Sequence, residues 1–422
     1  MSRMRVLLRL VVVLISLVAF MLTGLAQRRN SDELLAPHSP MDERVAAAAG
    51  SRQLVPVPSL PFDPLQRLQA PGTSTPQSGT FFGSPTAANL AAGSSLDASA
   101  IFLEAPTYDS GGHDAYSVAL ADVNGDGKPD LLVANLCGDS TSTCAGTVAV
   151  LFGNGDGTFQ PAASYGSGGE SAYLVAVADV NGDGKPDLLV ANLYAGGGNY
   201  ANGTVGVLLG NGDGTFRAAV AYASGGAYAY SVAVGDVNGD GKPDLLVANA
   251  CASSSNCANG AVGVLLGNGN GTFQPAVSYG SGGNNASSVA VADVNHDGKP
   301  DLLVANLCAS NSNCTNANGA VGVLLGNGDG TFQTAIAYAS GGYGSYSVTV
   351  GDVNGDGKPD LLVVNQCEGS DNSTSCGNGM LAVLLGNGDG TFGVAVTYAS
   401  GGYVALSVAL GDVNGDGNPT CS

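Results

Sequence analysis

The chain has 422 residues and a formal charge of −20, with 34 Asp and Glu against 14 Lys and Arg. After residue 100 the only cations are Arg217 and five lysines, Lys128, Lys185, Lys242, Lys299 and Lys358. No basic patch can form from these, which argues against nucleic acid as a partner. The acids are not a solvating tail either, because 17 of them lie in six copies of one short loop.

Residues 1–26 read as a secretory signal. Arg3, Arg5 and Arg9 supply the positive start, residues 10–22 the apolar stretch, and Gly24, Leu25 and Ala26 a cleavage site before Gln27. The competing reading is an uncleaved anchor, since the apolar run extends nearly to Ala26. With cleavage, no membrane span is expected in the mature chain. Residues 27–98 are rich in Pro, Ala, Ser and Gly without a sustained period, which predicts a disordered linker or tether.

The remaining domain, residues 99–422, is built from a repeat. The pattern Asp-Val-Asn-Gly-Asp-Gly-Lys-Pro-Asp begins at Asp122, Asp179, Asp236, Asp293, Asp352 and, in altered form, Asp412, at intervals of 57, 57, 57, 59 and 60 residues. Each unit shows four strand-like runs, in the first copy at 117–121, 131–134, 147–152 and 158–165. Several are apolar on both faces, as strands buried on both sides would be. Four antiparallel strands repeated radially describe an all-β fold, a β-propeller of four-stranded blades. A calcium-binding solenoid is the rival, but its turns recur about every nine residues.

Five units are complete, at 117–165, 174–222, 231–279, 288–338 and 347–398. A fourth strand at 101–108 precedes them and a first strand at 407–412 follows, giving a partial sixth blade. The array therefore predicts an open ring or a truncated chain. In an up-and-down sheet the acid loop and the Gly-Asn-Gly-Asp-Gly-Thr-Phe turn share one end. All length variation falls at the other end, in the loop between the second and third strands.

The acid loop places oxygen donors at alternate positions. These are Asp122, Asn124, Asp126, the Lys128 carbonyl and Asp130 in the first copy, and Asp179, Asn181, Asp183, Lys185 and Asp187 in the second. The third has Asp236, Asn238, Asp240, Lys242 and Asp244, the fourth Asp293, Asn295, Asp297, Lys299 and Asp301, and the fifth Asp352, Asn354, Asp356, Lys358 and Asp360. Such a set suits Ca²⁺, which takes about six to eight hard oxygens. Carboxylates about 4 Å apart repel by about 4 kcal/mol per pair at an effective dielectric near 20, and a divalent cation reverses that sign. About five sites are expected. The sixth copy keeps Asp412, Asn414 and Asp416 but has Thr420 at the ninth position, so it should be weak. An EF-hand is excluded because Val133, inside a strand, occupies its twelfth position. The bland alternative is a plain Asx-rich turn. The second turn, with Asp156, Asp213, Asn270, Asp329 or Asp389, reads as a hairpin turn, with cation binding as its alternative.

Eight of nine cysteines form local pairs at one place in the repeat: Cys137/Cys144, Cys251/Cys257, Cys308/Cys314 and Cys367/Cys376. With only three histidines and two thiolates per loop, disulfides fit better than zinc. Tyr116, Tyr173, Tyr230 and Tyr346 recur six residues before the acid loop. They either form a ligand face, beside the loop between successive units, or pack between blades.

These residues resemble the FG-GAP/VCBS repeat family, the calcium-bearing propeller repeats related to the integrin α-chain head. The acid loop, the Leu-Leu-Val that follows it and the Gly-Asn-Gly-Asp-Gly-Thr-Phe turn carry the resemblance across about 101–417. It implies a propeller, typically seven-bladed, with Ca²⁺ held by the acid-loop positions named above.

Together these features predict a secreted or cell-surface, calcium-stabilised binding scaffold for a protein or glycan, without enzymatic activity. The alternative is a polysaccharide lyase or hydrolase on the same scaffold. Acids outside the turns are few, and His113 beside Asp114 is the one acid–base pair worth weighing. A third reading is a purely structural surface protein tethered through residues 27–98.

Overall fold

The computed structural model describes residues 106–138, 144–197, 201–254, 257–309, 314, 318–368, 378–411 and 420–421. The expected signal and linker lie outside them, as do Cys376, Asp412, Asn414 and Asp416. The described residues from Thr107 onward fall in one unit. They hold strands and turns and no helix.

Three main sheets form, all antiparallel. The first has seven strands in chain order: β1 (His113–Ala121), β2 (Asp130–Cys137), β3 (Ala145–Leu151), β4 (Ala163–Ala178), β5 (Asp187–Tyr194), β6 (Thr204–Leu208) and β7 (Val220–Ala223). The second has four: β8 (Ala227–Gly235), β9 (Asp244–Cys251), β10 (Ala261–Leu265) and β11 (Val277–Gly280). The third has seven: β12 (Asn284–Ala292), β13 (Asp301–Cys308), β14 (Asn318–Leu324), β15 (Ile336–Gly351), β16 (Asp360–Cys367), β17 (Met380–Leu384) and β18 (Val396–Ala399). A short pair, β19 (Leu410–Gly411) and β20 (Thr420–Cys421), follows.

The structure corrects the expectation of separate four-stranded sheets. Sheets of seven, four and seven strands stand in their place, and none closes on itself among the described residues. The reason lies in the Ser-Gly-Gly segments that join successive repeats. In the 16-residue β4, residues 163–166 pair with β3 and residues 172–178 with β5. One further pair on each side of Glu170, to Ala145 and to Tyr194, carries the strand across the gap. β15 does the same through Tyr343. The predicted fourth strand also starts later than expected. Phe159 makes only an isolated bridge to Gly153, and β4 begins at Ala163.

The core is divided into layers between successive repeats. Leu132, Ala134, Val148 and Val150 of the first repeat meet Val175, Leu188, Val190 and Phe216 of the second. Leu189 and Ala191, on the opposite face of β5, meet Leu245 and Val247 of the third. The pattern continues with Leu246 against Leu302, and Leu303 against Leu361. Alternate residues of each Leu-Leu-Val-Ala run thus enter two different cores, which is why the run is apolar throughout.

Close backbone approach sets the third strand. A Cβ on Gly206, Gly263 or Gly322 would fall within 2 Å of the carbonyl oxygen of Ser167, Ser224 or Ser281 in the preceding segment. Ala149 stands at that position in the first repeat. Gly263→Ala is expected to destabilise the chain by at least about 1–3 kcal/mol, the cost of overpacking a rigid site. Ala149→Gly should cost no more than about 1 kcal/mol. Thermal unfolding of the two variants checks the difference.

Candidate functional site: the acid loops and the seams between repeats

Each described acid loop is closed by its own carboxylates. In the first, Asp122 Oδ1 accepts from the Gly125 and Asp126 N–H at 2.8 and 3.2 Å, and Oδ2 from the Gly127 N–H at 2.7 Å. Asn124 Oδ1 accepts from Asp126 N–H at 2.9 Å, and Asp126 Oδ1 from Lys128 N–H at 2.9 Å. The same bonds recur around Asp179, Asp236 and Asp352. Gly125 and Gly127 reach φ of +75° and +79°, a region that only glycine enters cheaply. His296 takes the first of these places in the fourth loop at φ +60°, a left-handed conformation uncommon for non-glycine residues, though histidine is among those that enter it more often.

The ninth residue behaves differently from the rest. Asp130 has no exposed surface. Its Oδ2 accepts from Val123 N–H at 3.0 Å and its Oδ1 from Gly153 N–H at 2.8 Å. Asp187, Asp244, Asp301 and Asp360 make the same two bonds to the loop before and the hairpin after. Burial raises the carboxyl pKa of Asp130, Asp187, Asp244 and Asp301. The two N–H bonds oppose that shift, and the charges at the fifth and first loop positions add to it. Sequence reasoning took the ninth residue as a ligand and missed this clasp. The signal was there, since an Asp opens the buried second strand of each of the five complete repeats.

The donor set fits a hard divalent cation in kind. It is all oxygen, and Asp126 N–H bridges Asp122 and Asn124 oxygens, which brings them to one side of the loop. However, no three carboxylates gather closely enough to hold a metal among the described residues. Asp130 is turned toward its backbone donors, although each carboxylate oxygen keeps a second lone pair. Lys128 Nζ lies 3.4 Å from Asp126 Oδ2, and Lys242 Nζ 3.0 Å from Asp240 Oδ2. These exposed pairs contribute little to stability.

The second turn is self-sufficient. Asp156 Oδ1 accepts from both Thr158 N–H and Thr158 Oγ1–H, which holds its pKa below the ordinary value. Across repeats, Gly214 N–H donates to Val123 O at 3.1 Å and Gly330 N–H to Val237 O at 3.1 Å. The acid loops and hairpin turns thus tile one end of the array. Cys137–Cys144, Cys251–Cys257 and Cys308–Cys314 are disulfides with Cα–Cα distances of 4.5, 4.4 and 5.4 Å. The second repeat has Tyr194 in place of a cysteine, and that ring packs edge-on against Tyr228 at 5.6 Å.

The recurring tyrosines are placed in strands, not in the loop between repeats. The register slips by one residue between Ala115 and Ser117, so Tyr116 is the extra residue of a bulge in β1. Tyr173, Tyr230 and Tyr346 occupy the same place in β4, β8 and β15. Tyr116 packs at a tilt against Tyr173 and Tyr173 edge-on against Tyr230, both with ring centroids 4.7 Å apart. All are half-buried. Ser287 breaks the row, its hydroxyl donating to Ser345 O at 2.7 Å. A second aromatic series also joins the repeats. Tyr165 meets Phe216, Tyr222 meets Phe273, Tyr279 meets Phe332 and Tyr338 meets Phe392, edge-on at 5.5–5.6 Å. Beside it lies a buried polar link, in which Ser167 Oγ–H donates to Asn192 Oδ1 and Asn192 Nδ2–H returns a bond to Ser167 O. His113 and Asp114 are both exposed at the start of β1.

Profiles of the FG-GAP-like repeat match residues 136–190, 192–247, 250–304 and 308–363, and those of the FG-GAP repeat match 115–151, 285–324 and 345–384. The chain belongs to the FG-GAP repeat family. Two curated proteins match part of this chain. The phosphatidylinositol-glycan-specific phospholipases D of Bos taurus and Homo sapiens are 36% and 35% identical over 95 residues, 21% of this chain. The match spans 11% of those relatives' own length. Among solved structures, the V. cholerae biofilm matrix protein Bap1 aligns over 70% of this chain and 41% of its own, at 18% identity and a TM-score of 0.38.

The clasp can be separated from any metal. Asp244→Asn keeps the shape but turns an NH₂ toward Val237 N–H or Gly267 N–H. In excess chelator it should destabilise by about 1–3 kcal/mol, the cost of an unsatisfied buried group. Asp240→Asn, at an exposed position, should change stability by less than about 0.5 kcal/mol under the same conditions. Denaturant unfolding of both variants measures this.

Proposed function

We propose that this FG-GAP chain is an extracellular, calcium-stabilised binding scaffold whose repeats stand as blades of a β-propeller, and that it is not an enzyme. The observation that carries the reading is the contrast between the two ends of the array. At one end five acid loops repeat the same oxygen-rich hydrogen-bonded geometry. At the other end the segments between the second and third strands differ in length, and those of the first, third and fourth repeats are pinned by disulfides. An invariant end suits a structural ion, and a variable, braced end suits recognition of a protein or glycan. The disulfides fit an oxidising, extracytoplasmic compartment.

Calcium would be held by Asp122, Asn124, Asp126 and the Lys128 carbonyl, with Asp130 as the inner carboxylate, and by the equivalent residues of the next four loops. It would neutralise side chains that otherwise repel. The long β4 and β15 then serve as the last strand of one blade and the first of the next. The tyrosine row is proposed as a seam that sets the spacing of the blades, which leaves the disulfide-braced face for the ligand.

Melting in excess chelator and in calcium tests the reading. At free calcium ten times the dissociation constant, each site adds about 1.4 kcal/mol. Affinities on the order of 10⁻⁴–10⁻³ M are expected for an extracellular module, and calorimetric titration should return about five sites. An identical melting transition in calcium and chelator would overturn the proposal.

A further inference from the structure

Among the described residues, Val220, Val277, Ile336 and Val396 are exposed large apolar side chains that recur at one place in successive repeats, whereas the rest gather at the end of the array. Leu385, Val394, Tyr398, Tyr403 and Leu406, all in or just after the fifth repeat, are 44–90% exposed. Four junctions inside the chain show what such a surface is shaped to meet. Each earlier equivalent of Tyr398 packs edge-on against the phenylalanine of the next repeat. The equivalents of Leu385 lie under the next hairpin turn. A Cβ on Gly271 would sit 2.7 Å from Leu209, and one on Gly330 2.9 Å from Leu266. The equivalents of Ser400, which are Ser167, Ser224, Ser281 and Ser340, are fully buried and donate to an asparagine of the next repeat. Ser400 itself is exposed.

The other end of the array carries the complementary defect. The first repeat is covered by residues 108–112, Tyr-Asp-Ser-Gly-Gly, which match residues 398–402, Tyr-Ala-Ser-Gly-Gly. Tyr108 packs on Phe159 at 5.5 Å, and Asn135 Nδ2–H donates to Ser110 O at 3.0 Å. The Ser110 hydroxyl donates to Gly112 O at 3.2 Å, as Ser167, Ser224 and Ser281 do to the matching glycines, but unlike them it does not also reach the asparagine oxygen. Asn135 is fully buried, and its Oδ1 accepts no hydrogen bond. In the four later repeats that oxygen is always bonded. An orphaned buried acceptor therefore waits at one end, and an exposed hydroxyl that would satisfy it stands at the other.

We propose that copies of this chain associate head to tail, with residues 398–402 of one copy seating on the first repeat of the next in place of its residues 108–112. Tyr398 then meets Phe159 of the neighbour, Ser400 Oγ–H donates to Asn135 Oδ1, and Leu385 is covered by the Gly153–Phe159 hairpin. Among the described residues nothing satisfies these groups, since Phe159 is taken by Tyr108 while Tyr398 stays exposed. A contact between unlike faces is heterologous, so it builds rings or open fibres rather than closed dimers. Like charge on the copies opposes association at low salt, so added salt strengthens it.

Sedimentation velocity of the full chain in calcium, over a concentration series, is the test. The chain should form a concentration-dependent series of oligomers. Tyr398→Asp and Leu385→Asp should each leave monomers with an unchanged melting transition, because both positions are exposed in one copy. Tyr108→Ala, which weakens the competing cover, should tighten association about tenfold, the equivalent of one lost aromatic pair. A chain that stays monomeric up to its solubility limit would overturn the proposal. So would oligomers indifferent to Tyr398→Asp, or a Tyr398→Asp variant that melts lower without any change in association, which would show the face to be covered within one chain. Failure of the calcium reading would appear in melting and titration instead.

Discussion

In every described repeat, an aspartate carboxylate with no exposed surface accepts one N–H from the loop before it and one from the hairpin after it. Burying a charge is costly unless its hydrogen bonds are satisfied. Two backbone donors do that for each carboxylate, and in return their own N–H groups find partners at the buried base of two turns. The bond pair fixes the spacing between acid loop and hairpin, so the same end of every repeat presents the same surface. The loop oxygens of Asp122, Asn124 and Asp126 are arranged on top of this anchor. The calcium we propose adds to a frame the carboxylate has already set.

The repeats are coupled by an edge-on Tyr–Phe pair and a reciprocal Ser–Asn link that recur at each of the four junctions, and at the first three by a glycine that lets a carbonyl approach, where the fourth has Ala382. None can be made within one repeat. Stability in such an array is close to a sum over units and nearest-neighbour interfaces, and its end units carry unmet surface. The first repeat meets this with residues 108–112, at the expense of one unsatisfied Asn135 oxygen. The fifth leaves Tyr398 and Leu385 exposed. Coupling and end effects are therefore two consequences of one junction chemistry.

Much of this was legible in the sequence. The Leu-Leu-Val-Ala runs announced strands buried on both sides, and Cys137/Cys144, Cys251/Cys257 and Cys308/Cys314 announced their disulfides. What was not legible depends on relations between strands. Ser167-Gly168-Gly169 has the composition of a loop, yet β4 runs through it because pairing partners lie on both sides. The bulge at Tyr116 is an extra residue relative to β2, which no single-strand pattern reveals. Asn192 could have been flagged, since an asparagine closes each apolar run, but its serine partner lies 25 residues earlier. Asp130 read as a ligand because its neighbours do. Its part as a clasp depends on the hairpin at Gly153, 23 residues later.

The central claim is that the ninth-position carboxylate holds the loop and hairpin of each repeat together as one unit. Native-state hydrogen exchange read at single amides tests it most directly. The N–H groups of Val180, Val237 and Val294, and of Gly210, Gly267 and Gly326, should exchange only through the largest openings of the domain, in chelator as well as in calcium. Exchange at those six amides as fast as at the exposed loop amides of Gly182 or Gly239 would contradict that claim.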